Sequence, residues 1–71
     1  MRFGSKKFRE LREAKGLSQE DLAGKLGVSR VTISHWESEV NAPSLTKIGE
    51  IGQFFGIPAK FFIEENGEKA A

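Results

Sequence analysis

Apolar residues recur along this chain at helical spacing, and nowhere do they alternate as a half-buried strand requires. Phe8 and Leu11 mark the inward side of a first helix from about Lys6 to Lys15, with Ser5 as its cap and Lys15-Gly16 as its stop. Leu22, Ala23 and Leu26 form the inward stripe of a second helix, which Ser18 and Asp21 open in the spacing of a capping box. Gly27 ends it, since a residue without Cβ enters the left-handed turn freely. Ser29 then caps a third helix starting near Arg30, whose inward positions are Ile33 and Trp36. After a loop closed by Pro43, Ser44 caps a fourth helix carrying Leu45, Ile48, Ile51 and Phe55. Gly49 and Gly52 lie inside it, each at a cost of about 1 kcal/mol relative to alanine, so close packing on a neighbouring helix is expected to compensate. Gly56 ends this helix, and Pro58 opens a short fifth one through about Ile63.

The expectation is therefore an all-α domain of five helices around one core. With 71 residues there is room for a single domain, ordered from about 5 to 64 with a polar tail over 65–71. Six phenylalanines and one tryptophan supply that core, and the absence of cysteine leaves packing and capping to hold it without disulfides or thiolate zinc. No apolar run approaches the ~20 residues that span a bilayer, and no secretory leader is recognisable, so no membrane association and a cytoplasmic location are expected. The net charge is only +1, but Met1 to Gly16 carries six cations against two carboxylates. That basic stretch suits phosphate and equally suits an ordinary solvated helix face.

The third helix has a second side. Arg30, Val31, Ser34 and His35 form a stripe that faces away from Ile33 and Trp36. The wider pattern of Gln19, Leu22-Ala23, Gly27, Ile33 and Trp36-Glu37 closely resembles the helix-turn-helix of lambda-repressor-like (Cro/repressor, XRE) DNA-binding domains, over roughly Phe8 to Ile63. The resemblance implies a sequence-specific transcriptional regulator, expected to be a repressor that occupies an operator without catalysis, its third helix in the major groove. There Arg30 can give two hydrogen bonds to guanine, and His35 can donate to a purine N7 or a phosphate. Val31 and the Thr32 methyl suit the thymine methyl, and Ser34 can reach a backbone oxygen. In similar domains the position of Gln19 grips phosphate from a helix N-terminus, with Ser29 and Asn41 as secondary phosphate candidates.

The resemblance also implies an ion pair between Arg12 and Glu37, tying the first helix to the third. It implies a C-terminal dimer face, for which Phe54, Phe61, Phe62 and Ile63 are the candidates. Phe55 and one of the Phe61-Phe62 pair are expected to be buried. A homodimer would demand a roughly palindromic operator with half-sites ~34 Å apart. One departure stands out. Where the family commonly has glycine followed by a basic loop, this chain has Glu39, Val40, Asn41 and Ala42, so phosphate affinity should suffer unless Lys6, Lys7 or Lys25 compensates, and salt dependence should be shallow. The same loop favours an alternative on the same fold, a protein-interaction module such as an antitoxin or bridging coactivator, with a protein partner and DNA contact secondary. No catalytic residue set, cofactor or metal site is expected; His35 is the only histidine. The chain can also be the DNA-binding part of a longer regulator.

Overall fold

A computed structural model describes residues 2–64, so the polar tail expected over 65–71 lies outside the described residues. Four α-helices follow one another: α1 (Ser5–Ala14), α2 (Gln19–Leu26), α3 (Arg30–Glu37) and α4 (Leu45–Phe55). The expected fifth helix is a single 3₁₀ turn, Ala59–Phe62, entered from Pro58. Two elements that periodicity did not signal flank the bundle. Strands β1 (Arg2–Phe3) and β2 (Ile63–Glu64) pair antiparallel, Arg2 opposite Glu64 and Phe3 opposite Ile63, and the Gly4 amide donates to the Phe62 carbonyl at 2.6 Å. Two-residue strands are too short to show alternation, yet they clasp the start of the described chain to its end.

All four helices stop in the same way. A residue at φ of 65 to 72° follows the last turn, namely Gly16, Gly27, Glu39 and Gly56. The next amide then returns to the carbonyl five residues before it: Leu17 to Arg12, Val28 to Ala23, Val40 to His35 and Ile57 to Gly52. Glycine makes three of these turns without strain, whereas Glu39 makes the fourth with a side chain.

Phe8 is the hub of the core. Fully buried, its ring lies 5.4 Å from Phe3, 6.0 Å from Trp36 and 6.4 Å from Phe55, and Phe55 continues to the equally buried Phe62 at 6.3 Å. Such tilted and edge-on pairs are each worth about 0.5–1.5 kcal/mol beyond the area they bury. Leu22, Ala23, Leu26, Ile33, Ile48 and Ile51 complete the core. On α4 the inward face is Ile48, Ile51, Gly52 and Phe55; Leu45 breaks the expected stripe, being 64% exposed at the helix's first residue, where few neighbours reach it.

The two interior glycines of α4 differ. A Cβ on Gly52 would stand 2.5 Å from the Ile57 carbonyl oxygen, so the chain returning from the helix end requires glycine there. Among the described residues nothing lies within 4 Å of such an atom on Gly49, which is exposed, and none of them supplies the packing expected to compensate for it. Lys47 joins α4 to α2, its Nζ donating to the Leu26 carbonyl at 3.3 Å and to Glu50 at 2.7 Å. A cation thus meets the carbonyl end of α2, where the helix dipole favours it.

Candidate nucleic-acid interface

The turn between α2 and α3 is built by short-range bonds. Asp21 N–H donates to Ser18 Oγ at 2.9 Å and Ser18 N–H to Asp21 Oδ2 at 3.0 Å, a reciprocal capping box that opens α2. Ser18 holds the Asp21 carboxyl below its ordinary value of 3.8, chiefly through that backbone hydrogen bond and then through its hydroxyl. Ser29 opens α3 by accepting from Thr32 N–H at 3.1 Å, and the two hydroxyls meet at 2.9 Å.

With both ends fixed, α3 presents one side inward and one outward. Ile33 and Trp36 are buried. Arg30 and Val31 are exposed, while Thr32, Ser34 and His35 are half-buried beside them. Val31 keeps 50% of its surface in solvent, so it is no peripheral core contact. Ser29 and Asn41 are exposed at the two approaches to the helix, and Glu39 stands just past its end. Among the described residues, no carboxylate pairs with Arg30.

Beneath this surface, α3 is tied back to α1 and α2 through one carboxylate. Glu37 accepts from Arg12 Nε at 2.6 Å, from Arg12 Nη2 at 3.1 Å and from Gln19 Nε2 at 3.1 Å. Arg12 spends a third donor on the Leu17 carbonyl at 2.7 Å. The side chains of Arg12 and Glu37 are only 11% and 5% exposed, which makes this fork a nearly dry ion pair. The Glu37 hydrogen bond raises the Arg12 pKa above its already high ordinary value, against the opposing pull of desolvation. Gln19 is thereby placed at the start of α2 with its side-chain nitrogen turned onto Glu37.

Three side chains land elsewhere than local spacing and charge predict. Ser5 does not cap α1: Gly4 stands at the cap position, and the buried Ser5 hydroxyl donates to the Trp36 carbonyl at 2.6 Å, satisfying the last turn of α3. No spacing rule reveals that bond, because its partners are 31 residues apart. Lys7 is engaged by the 3₁₀ turn and β2, donating to the Phe61 carbonyl at 3.1 Å and lying 4.9 Å over the Phe61 ring, with Glu64 at 3.7 Å. It is therefore not a free cation for phosphate. Phe62 is fully buried and leaves the expected dimer surface, whereas Phe61 is exposed and Phe54 and Ile63 are half-buried. The described residues contain no group of three or more histidine, cysteine or acidic side chains placed to hold a metal. No described helix is long and apolar enough to cross a membrane.

Against known proteins, a helix-turn-helix family model matches residues 8–62. The chain is 42% identical over 53 residues to the HTH-type transcriptional activator BcrR of Enterococcus faecalis, which covers 75% of this chain and 26% of that one. It is 29% identical over 62 residues to the cryptic phage CTXphi transcriptional repressor RstR of Vibrio cholerae, covering 87% of this chain and 56% of that one. To an HTH-type transcriptional regulator of Methanocaldococcus jannaschii it is 44% identical over 63 residues, covering 87% of this chain and 96% of that one. The chain thus spans about a quarter of the first relative and just over half of the second. Among solved structures, a chain of the SinR protein/SinI protein complex shares the fold with a TM-score of 0.77 at 22% identity, over 93% of this chain and 65% of that one.

Proposed function

The chain belongs to the helix-turn-helix family, and from that membership we propose that it regulates transcription by binding double-stranded DNA sequence-specifically, with α3 in the major groove. The observation that carries this reading is the outward face of α3. No described part of the chain covers Arg30 and Val31, while Ile33 and Trp36 lock the opposite side into the core. Arg30 is free of an internal carboxylate among the described residues and can meet guanine O6 and N7 with two parallel donors, a contact worth about 1–3 kcal/mol of discrimination. His35 and Ser34 extend the polar reading one turn further, and Ser29 and Asn41, with the N-terminal amides of α2 that begin at Gln19, position the helix on phosphate.

The relatives are named as an activator, a repressor and a regulator, so what they share with one another is regulation of transcription rather than its sign. Repression by occupying an operator asks nothing of the domain but DNA binding, and a cytoplasmic location fits a DNA ligand. Phe61, with the half-buried Phe54 and Ile63, is the surface on which two copies would meet over a palindromic operator. A measured mass that stays that of one chain at all concentrations, with and without the operator, removes the dimer.

Selection from a random duplex pool tests the function itself. The parent should enrich a discrete site, and Arg30→Ala should bind that site about 5–150-fold more weakly while losing its preference at one guanine. Failure to enrich any duplex, together with retention of a protein partner, overturns DNA reading in favour of the interaction module.

A further inference from the structure

We propose that Val31 makes this reading head a detector of the pyrimidine C5-methyl group, responding to thymine and to 5-methylcytosine alike, so that cytosine methylation tunes its binding. The inference rests on the DNA-reading function proposed above and deepens it. Val31 sits in the first turn of α3, on the outward stripe between Arg30 and Thr32, and half of its surface is in solvent. Its side chain can neither donate nor accept a hydrogen bond. The adjacent hydroxyl does not substitute for it, because Thr32 Oγ1 is turned back onto Ser29 Oγ at 2.9 Å, and Ser29 is itself held as the helix cap by the Thr32 amide. The first turn of α3 therefore offers the groove one strong polar reader, Arg30, beside one purely apolar one.

In the major groove the only apolar group on a base edge is the C5-methyl. Thymine carries it and cytosine acquires it on methylation, while uracil and unmodified cytosine lack it. Arg30 reads guanine from the neighbouring position on the same turn, so the predicted element is a guanine flanked by a C5-methylated pyrimidine. Burying one methyl against Val31 corresponds to about a fourfold gain in affinity per half-site. Since the partner bases differ, the methyl is isolated by comparing thymine with uracil opposite adenine, and 5-methylcytosine with cytosine opposite guanine.

The test uses the full chain and the duplex enriched by selection, resynthesised with each of these four pyrimidines at every pyrimidine position in turn. At one position per half-site, thymine should bind about fourfold tighter than uracil, and 5-methylcytosine about fourfold tighter than cytosine. Both ratios should fall to about one in Val31→Ala and persist in Arg30→Ala. Val31 is exposed, so its truncation leaves the core intact, and Trp36 fluorescence verifies folding. Ratios near one at every position in the parent overturn the inference and leave the proposed function standing. Ratios that survive Val31→Ala but vanish in Thr32→Ala move the contact to Thr32 and overturn it as well. If no duplex is enriched at all, function and inference fall together.

Discussion

Replacing Glu37 by alanine removes the acceptor of three hydrogen bonds from a nearly dry site and leaves the Arg12 guanidinium, 11% exposed, with only the exposed Glu13 carboxylate at 3.9 Å as counter-charge. Breaking a buried pair from one side costs about 3–5 kcal/mol. A domain of 71 residues has about 4–11 kcal/mol of total stability at ~0.05–0.15 kcal/mol per residue, so this single change consumes a large share of it. At about 4–8 °C per kcal/mol, Tm should fall by at least about 12 °C. Arg12→Met should be comparably damaging, because it strands the Glu37 carboxylate. The double variant Arg12→Met/Glu37→Ala removes both charges at once and leaves as its main polar deficits the Leu17 carbonyl, which loses its bond from Arg12 Nη1, and the Gln19 side-chain amide, which loses its acceptor, at about 1 kcal/mol each. Urea unfolding followed by the fluorescence of Trp36, buried on α3, measures all four proteins. The double variant should be far more stable than the sum of the two single losses allows. Arg12 has a raised pKa, so its contribution is complete below the unfolded value and is lost only as pH rises through the still higher folded value. The pattern should therefore be the same across neutral and mildly alkaline pH. A double variant as unstable as the summed singles, or a Glu37→Ala protein that melts with the parent, refutes the coupling of α1 to α3 through this pair.

Other substitutions probe the remaining devices. Glu39→Gly relieves a left-handed side chain worth about 1–2 kcal/mol against about 0.5–1 kcal/mol of added chain entropy, so calorimetry should show a small rise in Tm. The same variant should bind DNA more tightly at low salt, with the gain shrinking as salt is added; unchanged binding at low salt places the carboxylate away from the phosphates. Gly49→Ala and Gly52→Ala should move stability in opposite directions: up by as much as about 1 kcal/mol where the new methyl meets open space, and down by about 1–3 kcal/mol where it meets the Ile57 carbonyl. Equal shifts in denaturation would contradict the close approach at Gly52. Asp21, with its lowered pKa, contributes stability that is present above the unfolded value and lost as pH falls through the depressed one. Melting curves of Asp21→Asn should therefore lack that part of the parent's acid loss below 3.8.

Features that depend on neighbours within one or two helical turns were legible from the order of residues. The α2 and α3 caps at Ser18 and Ser29, the stop at Gly27, and the opposition of Ile33 and Trp36 to Arg30 and Val31 follow from hydrogen bonds and periodicities spanning three to five residues. Those local rules were enough to mark the exposed face of α3. Resemblance, not spacing, linked Arg12 to Glu37, 25 positions apart.

Contacts between distant segments became visible only once the helices were packed. Gly49 and Gly52 look identical in a string of letters, and only the chain returning at Ile57 separates a tolerated glycine from a required one. Ser5 has the composition of a cap but closes the end of α3 instead, and Lys7 has the charge of a phosphate ligand but is held at Phe61 and Glu64. Which of Phe61 and Phe62 enters the core depends on the turn that delivers them, here 3₁₀ rather than α-helical. Helical periodicity states which side of an element is apolar; it carries no information on which other element arrives to cover that side, or on how closely the two backbones meet.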